Sequence, residues 1–158
     1  MYIYLKHLIK CSLVLSVVFL TLGAGLSKAE MLSISKDGVN LRSGPGTKYE
    51  IKWEYGEGFP LRVVSKKGDW YKVKDFENDT GWIFKSLLSP DGHMIVKVNK
   101  NKNKKVNIRS GPGTKFNIVG KAYYGVVFRT LEQKSGWAKV KHDTGLVGWV
   151  KRSLLWGF

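Results

Sequence analysis

Residues 39–49, VNLRSGPGTKY, return at 106–116 as VNIRSGPGTKF. Working outward from them, Val39–Leu88 lies over Val106–Leu155 without a gap, and 22 of the 50 aligned positions are identical. Trp70 falls on Trp137, Gly81-Trp82 on Gly148-Trp149, and Ser86-Leu87-Leu88 on Ser153-Leu154-Leu155. A constant offset of 67 residues with that much identity is an internal repeat. Inside the quoted stretch, two glycines around a proline specify a tight turn, because proline presets φ and glycine accepts backbone angles closed to other residues.

The flanking residues read as short strands. In the first copy these are Leu32–Ser35, Val39–Arg42, Ile51–Tyr55, Leu61–Ser65, Trp70–Lys74 and Gly81–Phe84, most with alternating polarity. In the second they are Ile95–Val98, Val106–Arg109, Val119–Tyr123, Val126–Leu131, Trp137–Lys141 and Leu146–Val150. No helical period survives beyond residue 29. So many strands in about sixty residues bury a core only by curling into a small barrel, which also removes exposed sheet edges. The expected class is all-β, with two small barrels in tandem.

The N-terminus reads differently. Lys6, His7 and Lys10 precede an apolar run, Cys11–Leu26, and Ser27-Lys28-Ala29 comes after it. A basic start, an apolar run and small residues at −3 and −1 make a secretory signal peptide over residues 1–29, with cleavage expected after Ala29. The run is short for a membrane span, which takes about 20 residues. The mature chain would then have no transmembrane span and would lie in the periplasm or outside the cell. Cys11 is the single cysteine, so the mature part would have no disulfide and must be held by its core. The expected domains are 30–89 and 93–158, joined by a short link.

V-N-L-R-S-G-P-G, the later G-x-W-Y/A-K-V and the closing G-W-[IV]-x-[KR]-S-L-L resemble bacterial SH3-like (SH3b) domains. Val39–Gly46, Trp70–Val73 and Gly81–Leu88 carry the match in the first copy. Val106–Gly113, Trp137–Val140 and Gly148–Leu155 carry it in the second. The resemblance implies SH3-like barrels, export and a binding role, with peptidoglycan as the usual target of such modules.

Catalytic chemistry finds little support. A hydrolytic zinc site usually takes three protein ligands, and His93 and His142 have no such spacing. Ser43 and Ser110 sit in the turns with no histidine at an equivalent place in both copies, as a serine nucleophile would need. Asp75, Glu77 and Asp79 face His142, Thr144 and Leu146 in the other copy, which reads as a polar loop and not an acid/base pair. The expectation is a non-enzyme without metal or cofactor.

The repeat also sorts its own side chains. Residues shared by both copies (Trp70/Trp137, Trp82/Trp149 and Tyr49/Phe116) belong to the common fold, and Arg42 and Arg109 should hold the turns through carbonyls. Aromatics in one copy only are the candidates for binding or for contact between modules. Trp53, Tyr55, Tyr71 and Phe84 stand opposite Gly120, Ala122, Ala138 and Lys151, whereas Tyr123 and Tyr124 stand opposite Gly56 and Glu57. Of these, Trp53, Tyr55, Tyr71, Tyr123 and Tyr124 are the ligand-binding candidates, since flat apolar faces suit sugars and peptides alike.

Charge separates the copies. Residues 30–92 hold 10 basic and 10 acidic side chains, whereas residues 93–158 hold 14 basic and 2 acidic, a net of +12. Lys100, Lys102, Lys104 and Lys105, in a loop longer than its counterpart, complete the candidates. A neutral aromatic module would recognise peptidoglycan, while the basic one would be drawn to an anionic polymer or membrane surface. The alternative is an adaptor that binds another exported protein through its aromatic surface or β-edges. Nucleic acid would suit charge interleaved with aromatics, but export argues against it.

Overall fold

The computed structural model describes residues 29–158. The signal-peptide reading, Ala29 apart, therefore falls outside the described residues. The first module runs β1 (Met31–Ile34), β2 (Val39–Arg42), β3 (Ile51–Tyr55), β4 (Pro60–Lys67), β5 (Trp70–Lys74), β6 (Thr80–Phe84), a 3₁₀ turn (Lys85–Leu87) and β7 (Leu88–Ser89). The second repeats this as β8 (His93–Val96), β9 (Val106–Arg109), β10 (Ile118–Ala122), β11 (Val127–Lys134), β12 (Trp137–Lys141), β13 (Val147–Lys151), a 3₁₀ turn (Arg152–Leu154) and β14 (Leu155–Gly157). Two seven-stranded sheets result, in the orders β3-β2-β6-β5-β4-β1-β7 and β10-β9-β13-β12-β11-β8-β14.

Each sheet curls around its own core. Ile34, Val39, Leu41, Tyr55, Leu61, Val73 and Ile83 come from six strands yet form one buried cluster, which a flat sheet would not permit. The second cluster is built around Met94, Val96, Ile108, Phe128, Val140, Val150 and Leu155. Burying a side chain such as Leu41 or Leu61 is worth about 1.5–3 kcal/mol, and these two are fully enclosed. With no disulfide among the described residues, this burial is the main source of stability.

The SGPG turn is closed from two sides. Arg42 Nη1 donates to the carbonyls of Thr47 and Tyr49, both at 2.9 Å. Arg109 Nη1 repeats this with Thr114 at 2.9 Å and Phe116 at 2.8 Å. The ring of Tyr49 lies so close to Gly44 that an added Cβ would stand 2.4 Å from it, and Phe116 covers Gly111 in the same way at 2.5 Å. Glycine is required here by contact with an aromatic neighbour, so the residues that match best between the copies are those that lock one loop.

Several boundaries differ from the sequence reading. Strands β1 and β8 begin earlier, because Met31↔Arg62 and His93↔Arg129 extend their ladders with β4 and β11. Strands β4 and β11 run on to Lys67 and Lys134, where a two-residue hairpin turn faces Trp70 and Trp137. The last leucine of each SLL segment, unassigned from periodicity, opens β7 and β14, which pair with β1 and β8, and the two residues before it lie in the 3₁₀ turns. Two or three residues are too short to show alternation.

The modules touch. Phe76 of the first packs against Tyr124 of the second, with ring centroids 5.4 Å apart. Glu77 accepts hydrogen bonds from both Tyr124 Oη and Lys100 Nζ. Ser33 Oγ donates to the carbonyl of Asp91 in the link at 2.8 Å, and the amide of Thr130 donates to that of Gly92 at 2.8 Å.

Candidate functional site

The first module carries an open groove of about 410 Å³. Strand register makes it. Trp70 and Phe84 are cross-strand partners on β5 and β6, and their rings meet edge to face at 5.4 Å. Asn40 and Arg42, on β2, supply a polar wall, with Thr47 and Lys36 from neighbouring loops, and Leu87 also lines the groove. The Nη1 of Arg42 is already spent on the loop carbonyls, so the guanidinium is a fixed donor surface and not a mobile anchor. Aromatic faces beside held donors suit a ligand with both apolar and hydroxyl or amide groups. The second module keeps Trp137 but sets Lys151 against it in register, replacing the second ring by a cation.

The nine candidate side chains do not converge on one site. Trp53 stands alone on β3, 53% exposed. Tyr71 is half-buried against the first core, with Lys66 Nζ 4.5 Å above its ring. Tyr123 is exposed, Lys105 Nζ lies 4.4 Å over it, and both line a pocket of the second module. Lys102 and Lys104 are exposed in the basic loop.

One candidate, Tyr55, needs correction, and two others stand at the contact between modules, the alternative given for the unshared aromatics. Tyr55 is a core residue, 8% exposed, stacked on Phe59 at 4.3 Å, and has no free face to offer. Tyr124 and Lys100 are engaged with Glu77 and Phe76 at the contact between modules. An aromatic present in one copy can be absorbed by that copy's own core or by its neighbour.

The loop after β5 is organised by a buried carboxylate. Asp75 accepts from Tyr55 Oη at 2.9 Å and from the amides of Glu77 and Asp79, each at 2.9 Å. Burial foremost, and then the Asp75 charge, push the Tyr55 phenol far above the ordinary tyrosine range. The raised value means that this group adds stability that is whole below the unfolded phenol's usual pKa of about 10 and drains away as pH rises beyond it. In a spectrophotometric titration of tyrosinate, Tyr55→Phe is therefore expected to leave unchanged the phenols that ionise while the protein stays folded. Loss of one of those phenols in the variant would refute the assignment. Among the described residues, no group of three or more His, Cys, Asp and Glu side chains is placed to hold a metal ion. Nor is any described helix long and apolar enough to cross a membrane.

The groove residues were only partly visible in the sequence. Phe84 was marked by its absence from the second copy, but Trp70 and Arg42 are shared and so read as fold residues. Only the strand register unites the three.

Comparison with known proteins agrees with this architecture. A family model described as "Bacterial SH3 domain" matches residues 35–90, and another of the same description matches 104–155. Together they cover about two-thirds of the chain. A relative in Bacillus subtilis (strain 168), YrvJ, is named as a candidate N-acetylmuramoyl-L-alanine amidase. It is 27% identical over 149 residues, which are 90% of this chain and 29% of the relative. The chain thus spans under a third of that protein. Among solved structures, an NlpC/P60 family protein from Bacillus cereus aligns over 81% of this chain and 56% of its own, at 15% identity and a TM-score of 0.36. "Endolysin LysPBC5 CBD" aligns over 80% and 91%, at 20% identity and a TM-score of 0.34. Scores this low carry no argument about function.

Proposed function

The chain belongs to the bacterial SH3 domain family, once in each half, and on that premise we propose that it is an exported, non-catalytic binding module that recognises peptidoglycan or another envelope polymer. The observation that carries this is the Trp70–Phe84 groove, where two aromatic rings open to solvent beside Asn40 and the tethered Arg42. Sugar rings and peptide side chains alike bind to such a surface. The relationship to YrvJ supports the same target, because N-acetylmuramoyl-L-alanine is the junction of sugar and peptide in peptidoglycan. The match covers only a minor part of that relative, which fits a recognition segment and not the catalytic one. The +12 of residues 93–158 adds long-range attraction to an anionic surface.

The test is co-sedimentation of the purified protein with purified cell-wall sacculi at low and high salt. Binding is expected at both, weakened but not lost as screening removes the lysine contribution. Phe84→Lys copies the second module's own residue and so spares the fold. It is expected to weaken binding about tenfold, the worth of roughly 1.4 kcal/mol for one aromatic contact. No pelleting at either salt overturns the proposal. Full binding by the variant moves the site away from the groove.

A further inference from the structure

We propose that the second module holds a separate binding pocket for a small aliphatic side chain carrying a free carboxylate, as at the C-terminus of a peptide. The repeat is its own control. Tyr55 and Ala122 occupy the same register, opposite Val39 on β2 and Val106 on β9 respectively. In the first module the Tyr55 ring fills this place, stacks on Phe59 and bonds to Asp75. In the second, Ala122, Val126 and His142 stand at those three positions, and all three line an open pocket of about 230 Å³. Ile108, Phe128, Leu146 and the Tyr123 ring complete its apolar wall. The pocket is smaller than the roughly 300–1,000 Å³ of a site for a drug-sized ligand, so it suits a group the size of one amino-acid side chain with its carboxylate.

Charge reverses at the same place. Lys105, Lys121 and His142 line the second pocket where the first module has Gly38, Glu54 and Asp75. No acidic side chain lines it. His142 Nδ1 lies 3.2 Å from the amide of Thr144, which donates to it. The proton of the neutral ring is therefore on Nε2, leaving His142 as a further donor. Two lysines and an imidazole N–H beside a side-chain-sized apolar hollow favour a carboxylate next to a small alkyl group. This site is independent of the groove in the first module and stands whether or not that groove takes a wall polymer.

The probes are N-acetylvaline and its amide, titrated into the isotope-labelled protein and monitored through the backbone amides of residues 120–128 and 142–146. N-acetylvaline is expected to shift these signals saturably in the millimolar range, and the amide to bind at least about tenfold more weakly. The double variant Ala122→Tyr/His142→Asp rebuilds the first module's filling and is expected to abolish the shifts. Lys105→Ser/Lys121→Ser, confined to exposed side chains, keeps the fold and is expected to weaken the acid but not the amide. Absence of shifts, equal binding of acid and amide, or undiminished binding by the lysine variant overturns the proposal.

Discussion

Tyr55→Ala is expected to destabilise the first module by about 4 kcal/mol, the cost of truncating a buried aromatic and leaving its cavity. The residue is 8% exposed, and its ring stacks on Phe59. Its hydroxyl is also one of three donors to the buried Asp75 carboxylate. Removal therefore deprives a buried charge of a partner as well as opening a hole, and the two penalties act together. Tyr55→Phe separates them, since it keeps the ring and should cost only about 1–2 kcal/mol. Urea unfolding of both variants, with the slope held against the parent, measures the difference. A domain of ordinary stability has about 5–15 kcal/mol in all, so the alanine variant brings the first module near its limit. Equal and small effects for both would show that Tyr55 is not the keystone of that core.

Gly81→Ala should cost about 3 kcal/mol, in the upper range for forced overpacking. A Cβ at this position would lie 2.5 Å from Leu41 Cγ and 2.7 Å from the Arg42 carbonyl oxygen. Leu41 is wholly buried and has nowhere to swing, and the carbonyl belongs to the backbone. Relief must come from moving β6 away from β2, which are in register at Arg42↔Trp82. Gly148 meets the same constraint from Ile108 Cγ2 at 2.5 Å and the Arg109 carbonyl at 2.9 Å. Gly148→Ala is expected to match it in the second module. Thermal unfolding of the two variants checks both, and a wild-type melting temperature in either would show that the strands can part without cost.

Much of the scaffold was legible because it is written twice. Gly44, Arg42 and Tyr49 recur as Gly111, Arg109 and Phe116, and a loop held by three mutually dependent residues tolerates little change in any of them. Gly81-Trp82 and Gly148-Trp149 recur for the same reason, since the strands approach too closely at the glycine for any side chain. Short-range constraints of this kind leave a pattern in sequence, and the fold class could be read from it. The edge strands β7 and β14 left none, being too brief to alternate.

The unshared residues were the sequence's pointer toward function, and there the sequence alone led only part of the way. It marked Tyr55, Tyr124 and Lys100 as unlike their counterparts but did not say which way each would turn. Tertiary structure sent Tyr55 into the core, Tyr124 and Lys100 to Glu77, and Phe84 to Trp70. Whether an aromatic ring is spent inside or offered to a ligand depends on the neighbours that other strands bring to it. The hollow beside Ala122 shows this most plainly, since it exists only because the strands around it stay put when the ring is gone. Sequence thus determined two modules of one kind and the unequal charge between them. The tertiary structure decided which surfaces remained open, because burial is a property of packed strands and not of residues taken one at a time.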